Sequence, residues 1–119
     1  MTGICIIEYE EIEGMEFEIN GKKWKILEKS QEELCEAFNE EITNDKYFGM
    51  TIPEKQEIYL WKEVVIEQKK KTLYHELMHC YLYSYISFNN INFSIDDFCD
   101  ISANSHDIIH RIVEEYFNK

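Results

Sequence analysis

The sequence lacks the long apolar segments that would place it in or across a membrane. No apolar run in its 119 residues approaches the roughly 18 residues that a membrane-spanning helix requires. The N-terminus has neither the basic start nor the long apolar stretch of a signal peptide. We therefore expect a cytoplasmic protein that makes no contact with a membrane.

Positive charge is also scarce. Lys and Arg total 12 against 24 Asp and Glu, which gives a formal net charge of −12. Such a surface repels phosphate backbones, so we expect no direct binding of nucleic acid. The acidity keeps a small protein soluble, and two further uses stay open: attraction of a basic partner, or mimicry of nucleic acid by an array of carboxylates. That array would comprise Glu8, Glu10, Glu11, Glu13, Glu16 and Glu18.

The cysteines do not form the pattern of a disulfide framework or of a cysteine-rich zinc site. The four residues, Cys5, Cys35, Cys80 and Cys99, are widely spaced and include no C-x-x-C pair. We expect reduced thiols, used mainly as small apolar side chains. Thiolate ligation of a metal by Cys80 or Cys99 stays a lesser alternative.

The chain is long enough for one core, and its patterns alternate between strands and helices. With 45% hydrophobic residues, we expect a single domain over residues 1–119. Residues 4–9 form a β-branched run, and residues 15–27 alternate around Asn20-Gly21, a strong hairpin signal. Residues 47–52 and 57–61 flank the only proline and predict a second hairpin.

Three helices are predicted from capping residues and from apolar spacing. Ser30 and Glu33 have the spacing of a capping box, and a second helix is favoured over residues 63–84. The second helix is apolar on nearly all sides, which predicts a central position. Ser94 can cap the third helix. Its predicted apolar face comprises Ile95, Phe98, Ser102, Ile109, Ile112 and Tyr116. The predicted fold is α+β, with a small antiparallel sheet of hairpins packed on the central and C-terminal helices.

The central helix carries the sequence His75-Glu76-Leu77-Met78-His79. Side chains four residues apart lie on one helical face, so both imidazoles can reach one zinc ion. Glu76 lies about 100° around the helix from His75, where it can flank the metal and accept a proton from an activated water. Zinc lowers the pKa of such a water to about 7. A bound cation also explains polar residues inside an otherwise apolar helix.

A third zinc ligand is expected from the last helix, since no glycine or histidine extends the motif directly. Helical phase places Asp96 at the border of the predicted apolar face and favours it over Asp100. Asp100, Cys99 and a histidine stay open as alternatives. His106 and His110 have the same four-residue spacing, but His106 is about 15 Å along the helix from Asp96.

The stretch from Tyr47-Phe48-Gly49 through Ile58-Tyr59-Leu60 to His75-Glu76-x-x-His79 resembles the ImmA/IrrE family of zinc metallopeptidases, especially its small phage-like members. The resemblance covers roughly residues 45–117 and places Asp96 where the family has a glutamate, with Cys99 and Ala103 at the following small positions. It implies a zincin-like fold, a zinc ion and often cleavage of a repressor-type regulatory protein.

These patterns together predict a zinc-dependent endopeptidase that acts on a protein or peptide substrate. His75, His79 and Asp96 would hold Zn²⁺, and Glu76 would act as general base and then as proton donor. The strand over Glu57–Trp61 would offer an edge for an extended substrate. The alternative is a non-catalytic, zinc-containing protein of the same fold that binds a basic host or regulatory partner.

Overall fold

Two β-hairpins supply the strands of the sheet. The computed structural model describes residues 14–38, 47–85 and 94–118, so the strand predicted over residues 4–9 lies outside the described residues. Strands β1 (Met15–Ile19) and β2 (Lys22–Lys29) pair antiparallel across Asn20 and Gly21. These two residues have φ angles of 50° and 80°, as a type I′ turn requires. Strands β3 (Gly49–Ile52) and β4 (Glu57–Trp61) form the second hairpin. Both predicted hairpins are confirmed.

The hairpins join through a parallel pair of strands, which makes the sheet mixed. The strand order is β1-β2-β4-β3, and β2 runs parallel to β4. Parallel neighbours need a crossover connection, and helix α1 (Gln31–Ala37) lies within it. The prediction of a purely antiparallel sheet is therefore wrong, although the α+β class is confirmed. The prediction of Glu57–Trp61 as an edge strand is also wrong, because β4 is paired on both sides.

Two helices begin where their capping residues predicted, and the central helix, predicted over residues 63–84, begins at Ile66. Ser30 Oγ accepts a hydrogen bond from the Glu33 N–H at 3.2 Å, and the Glu33 carboxylate accepts one from the Ser30 N–H at 2.9 Å. Ser94 and Asp97 form the same box at the start of α3 (Ile95–Phe117). Helix α2 (Ile66–Tyr85) carries the histidine motif. None of the helices in the described ranges is both long and apolar enough to cross a membrane.

Helices cover both faces of the sheet. Successive strand residues point to opposite sides, so each face presents apolar side chains that a helix can bury. On one face, Ile26 and Ile58 are fully buried with Leu77 of α2 and Val113 of α3. On the other face, Leu34 of α1 packs with a smaller group that includes Met50 and Tyr59. The sheet therefore lies between α1 and the α2–α3 pair, and β3 forms the edge of the described sheet next to α2.

Helix α3 is buried along only part of its predicted apolar face. Ile109 and Tyr116 are buried, whereas Ile95 and Phe98 are 84% and 65% exposed and Ser102 is also exposed. The face prediction is thus wrong for the first two turns. A periodic pattern identifies the apolar side of a helix, but not how far neighbouring elements extend along it.

Polar contacts tie the ends of α2 and α3 to the sheet. The Tyr116 hydroxyl donates to Glu28 of β2, whose second carboxylate oxygen lies 2.9 Å from Lys69 Nζ. Burial, and then the hydrogen bond to Glu28, raise the pKa of Tyr116, so its hydroxyl stays protonated at neutral pH. At the other end of α2, Asn20 Nδ2 donates to the Ser84 carbonyl at 2.9 Å. Helix α2 is therefore fixed to the sheet near both ends.

Candidate metal centre

The motif occupies the middle of α2, whose sides differ in exposure. Leu73 and Leu77 are fully buried, whereas His75 and His79 are exposed. The expectation that both histidines lie inside an apolar environment is therefore wrong. Of the three polar residues of the motif, only Glu76 is buried, at 7% exposure. The cost of burying a polar group thus applies to the glutamate and not to the imidazoles.

The two imidazoles have the separation that one shared ion requires. Their ring centroids are 5.1 Å apart and their planes are inclined at 69°. Two rings bound to one tetrahedral zinc through nitrogens at roughly 2.1 Å have centroids about 5 Å apart. His75 and His79 therefore fit two of the positions around a zinc ion.

Glu76 is oriented by strand β3. The Thr51 hydroxyl lies 2.7 Å from Glu76 Oε1 and 3.3 Å from the backbone carbonyl oxygen of Glu76. The carboxylate contact is the shorter one, and it satisfies one oxygen of a buried charge. Gly49 permits this close packing, since a Cβ there would lie 2.7 Å from Thr72 Cγ2 and 2.8 Å from the Tyr59 carbonyl oxygen.

A cleft of about 260 Å³ opens beside the motif. It is lined by Phe38 at the end of α1, by residues 49–51 of β3, and by Glu76, His79 and Tyr83 of α2. Tyr83 follows His79 by one helical turn and so shares its side of the helix. Tyr83 therefore brings a hydroxyl-bearing side chain to the cleft beside His79.

A third ligand does not converge with His75 and His79 within the described ranges, where no three His, Cys, Asp or Glu side chains form a group that could hold a metal ion. Asp96, Cys99 and Asp100 are exposed on the first turns of α3. The structure thus brings His75, Glu76 and His79 together and leaves Asp96 apart. Ligation by Asp96 stays a prediction from the sequence.

Cys80 is unsuited to thiolate ligation. It is fully buried, about 100° around α2 from the exposed His79. Burial, and then the charge of Glu76, raise the pKa of the Cys80 thiol well above its usual range. A thiol that stays protonated is a poor metal ligand, so Cys80 serves the core.

The second histidine pair is exposed beside the contact between α2 and α3 and does not line the cleft. The rings of His106 and His110 are nearly parallel, at 8°, with centroids 5.8 Å apart. The Tyr74 hydroxyl lies 2.7 Å from His110 Nδ1, so this pair belongs to the contact between α2 and α3. It does not join His75 and His79.

The acidic run of the N-terminal region is described only at Glu16 and Glu18. Both lie on the exposed face of β1, directly opposite Lys25 and Lys23 of β2 in the strand register. Opposite charges at cross-strand positions attract each other and reduce the local negative potential. These two carboxylates are therefore a poor basis for mimicry of a phosphate backbone.

Comparison of the chain with protein-family models, with curated proteins and with solved structures found no match. The geometry around α2 and β3 therefore carries the functional argument.

Proposed function

We propose that this protein is a zinc-dependent endopeptidase whose reaction takes place in the cleft between β3 and α2. The observation that carries the proposal is the grouping of two exposed imidazoles, 5.1 Å apart, with the buried carboxylate of Glu76 on neighbouring sides of one helix. Zinc-assisted hydrolysis uses metal ligands and a base that act on the same water, and the grouping of these three side chains supports that chemistry.

The residues divide the chemical work between them. Zinc, held by His75, His79 and the predicted third ligand Asp96, would supply a Lewis acid that polarises the scissile carbonyl and acidifies water. Glu76 accepts the proton of the attacking water and then delivers it to the leaving nitrogen. Thr51 engages Glu76 Oε1, which leaves Oε2 for the water. Tyr83 is the candidate donor to the oxyanion that forms on the carbonyl.

The sheet offers a place for the substrate backbone. Within the described residues β3 pairs only with β4, so its outer edge is available for an extended peptide. Residues 49–51 of that strand line the cleft. A peptide added along β3 would pass Glu76 and His79, which moves the proposed substrate edge from β4 to β3. By resemblance to the ImmA/IrrE family, the substrate is a repressor-type regulatory protein.

Zinc content is the first test. Elemental analysis should find one zinc per chain in the wild type and a loss in His75→Ala, His79→Ala and Asp96→Ala, with the fold checked by circular dichroism. His106→Ala is the matched control, because it removes an exposed histidine of another pair, and it should retain zinc. Absence of zinc from carefully prepared wild type would overturn the peptidase proposal. Retention by Asp96→Ala alone would move the third ligand elsewhere.

A non-catalytic zinc-containing binding protein is the second candidate. The observation that favours it is that Thr51 already engages the carboxylate of Glu76. Glu76→Gln separates the two candidates, since it keeps the shape of the side chain but removes the base. Loss of biological function with zinc retained supports catalysis, whereas full function supports binding to a partner.

A further inference from the structure

Part of the cleft wall is apolar and open to solvent. Phe38 and Tyr83 are 44% and 36% exposed, and both line the cleft. Met50, which is 3% exposed, also lines it. The two ionisable side chains of the lining, Glu76 and His79, belong to the motif. The cleft therefore brings an apolar surface next to the reacting groups.

The Phe38 ring is fixed before any ligand arrives. It stacks on Tyr47 with ring centroids 4.5 Å apart and an interplanar angle of 28°. The backbone of Tyr47 is held in turn by the Gln31 amide, which donates to the Tyr47 carbonyl and accepts from its N–H at 3.1 Å. A preorganised aromatic wall loses little conformational entropy when it binds a ligand.

Charge and size restrict what the cleft accepts. Its lining contains no lysine or arginine, and its one acidic side chain, Glu76, is already hydrogen-bonded to Thr51. In the metal-free protein, an anionic side chain would be repelled by Glu76, and a cationic one would find a buried, occupied carboxylate. The volume of about 260 Å³ is below the roughly 300–1,000 Å³ of sites for drug-sized molecules. The cleft therefore suits a single uncharged side chain.

We propose that Phe38, Met50 and Tyr83 form a specificity pocket that binds one large aromatic or aliphatic side chain of the peptide, next to the bond that is cut. The proposal rests on the proposed peptidase function for its meaning, but the binding itself requires neither zinc nor turnover. The pocket selects peptides by burying apolar surface against its aromatic walls and by leaving acidic side chains without a partner.

Methyl NMR of the metal-free wild-type chain, labelled at the methionine methyl groups, tests the pocket directly. Met50 reports on the pocket, whereas Met15 and Met78 pack against the main core and serve as internal controls. Titration with N-acetyl-phenylalanine amide and N-acetyl-leucine amide should shift the Met50 signal saturably. N-acetyl-aspartate amide and N-acetyl-lysine amide should leave it in place. Equal shifts with all four probes, or none with the apolar ones, would overturn the proposal.

Variants locate the binding on the proposed wall. Phe38→Ala and Tyr83→Ala should each weaken binding of the phenylalanine probe roughly twofold to tenfold, the range expected for loss of one aromatic contact. Phe98→Ala, which removes an exposed aromatic ring on α3, should not change it. Unchanged binding in both wall variants would disprove the pocket even if zinc is bound. Conversely, binding of the phenylalanine probe by the His75→Ala chain would support the pocket even if the zinc proposal failed.

Discussion

Two histidine pairs with the same four-residue spacing lie on neighbouring helices, and only one of them has the surroundings of a catalytic site. His75 and His79 flank a buried glutamate and a cleft, and their rings are inclined at 69°. His106 and His110 have nearly parallel rings, and His110 contacts Tyr74 across the α2–α3 interface. Spacing on a helix makes shared ligation possible for both pairs. The neighbouring elements decide which pair is presented to a substrate.

Strand β3 distinguishes the two pairs more than the histidines themselves do. Thr51 of β3 engages the glutamate between the first pair, and residues 49–51 line the space in front of it. The second pair encloses Asp107, which is exposed on α3. A general base needs a fixed position close to the reacting water, and burial against a strand provides it.

Substitutions on the buried side of α2 should lower stability, whereas substitutions on its exposed side should leave stability nearly unchanged. Leu77→Ala creates a cavity in the main core and should lower the free energy of unfolding by about 2–5 kcal/mol, measured by urea denaturation. His75→Ala, on the exposed side two residues away, should change it by less than about 0.5 kcal/mol. A large loss for His75→Ala in metal-free protein would show that the first pair is a packing element, which would remove its distinction from the second.

Zinc affinity should also distinguish the two histidine pairs. Replacing both His75 and His79 by alanine should weaken zinc binding by at least about a hundredfold, because even residues that only orient a ligand contribute tenfold to a hundredfold. The matched double variant, His106→Ala with His110→Ala, should leave the affinity within a factor of about three. Competition titration against a chromogenic chelator measures both. Equal losses in the two double variants would contradict the comparison.

We expect the Thr51 hydroxyl to stabilise the fold through its hydrogen bond to Glu76. Thr51→Val keeps the shape of the side chain but leaves the Glu76 carboxylate with an unsatisfied oxygen, which should cost about 1–3 kcal/mol of stability at neutral pH. Thr51→Ser retains the hydroxyl and should recover most of that loss. Combining Thr51→Val with Glu76→Leu removes both partners, and a strongly non-additive result in this double-mutant cycle would confirm the coupling. Simple additivity would show that the hydrogen bond contributes little.

Local chemistry explains which parts of this fold the sequence could predict. Asn20-Gly21 determines the first turn by its positive φ angles, and Ser30 and Ser94 determine two helix starts through their own side chains. These features need only a few neighbouring residues. The parallel pairing of β2 with β4 depends on packing across the whole domain, and neither hairpin carries a signal for it.

In the candidate site, too, some features follow from neighbouring residues and others depend on contacts across the domain. The motif gives His75, Glu76 and His79 from spacing alone, but the partner of Glu76 lies 25 residues away in the chain. Alternation in β3 could have placed Thr51 and Gly49 on one face of the strand. It could not have predicted which helix packs against that face. The exposure of the histidines was mispredicted because α2 is apolar on several sides, and hydropathy does not tell which side lacks a covering element.

The smallest effect belongs to the second histidine pair. Tyr74→Phe removes the hydroxyl that lies 2.7 Å from His110 Nδ1 and should destabilise the fold by roughly 0.5–1.5 kcal/mol, since it deletes one hydrogen bond between α2 and α3. Zinc content and affinity should stay at wild-type values, because Tyr74 faces α3 and not the cleft. Urea denaturation and the chelator titration measure the two quantities in the same preparation. A loss of zinc in this variant would show that the interface between the helices supports the metal centre, and the two pairs would then have to be treated as one site.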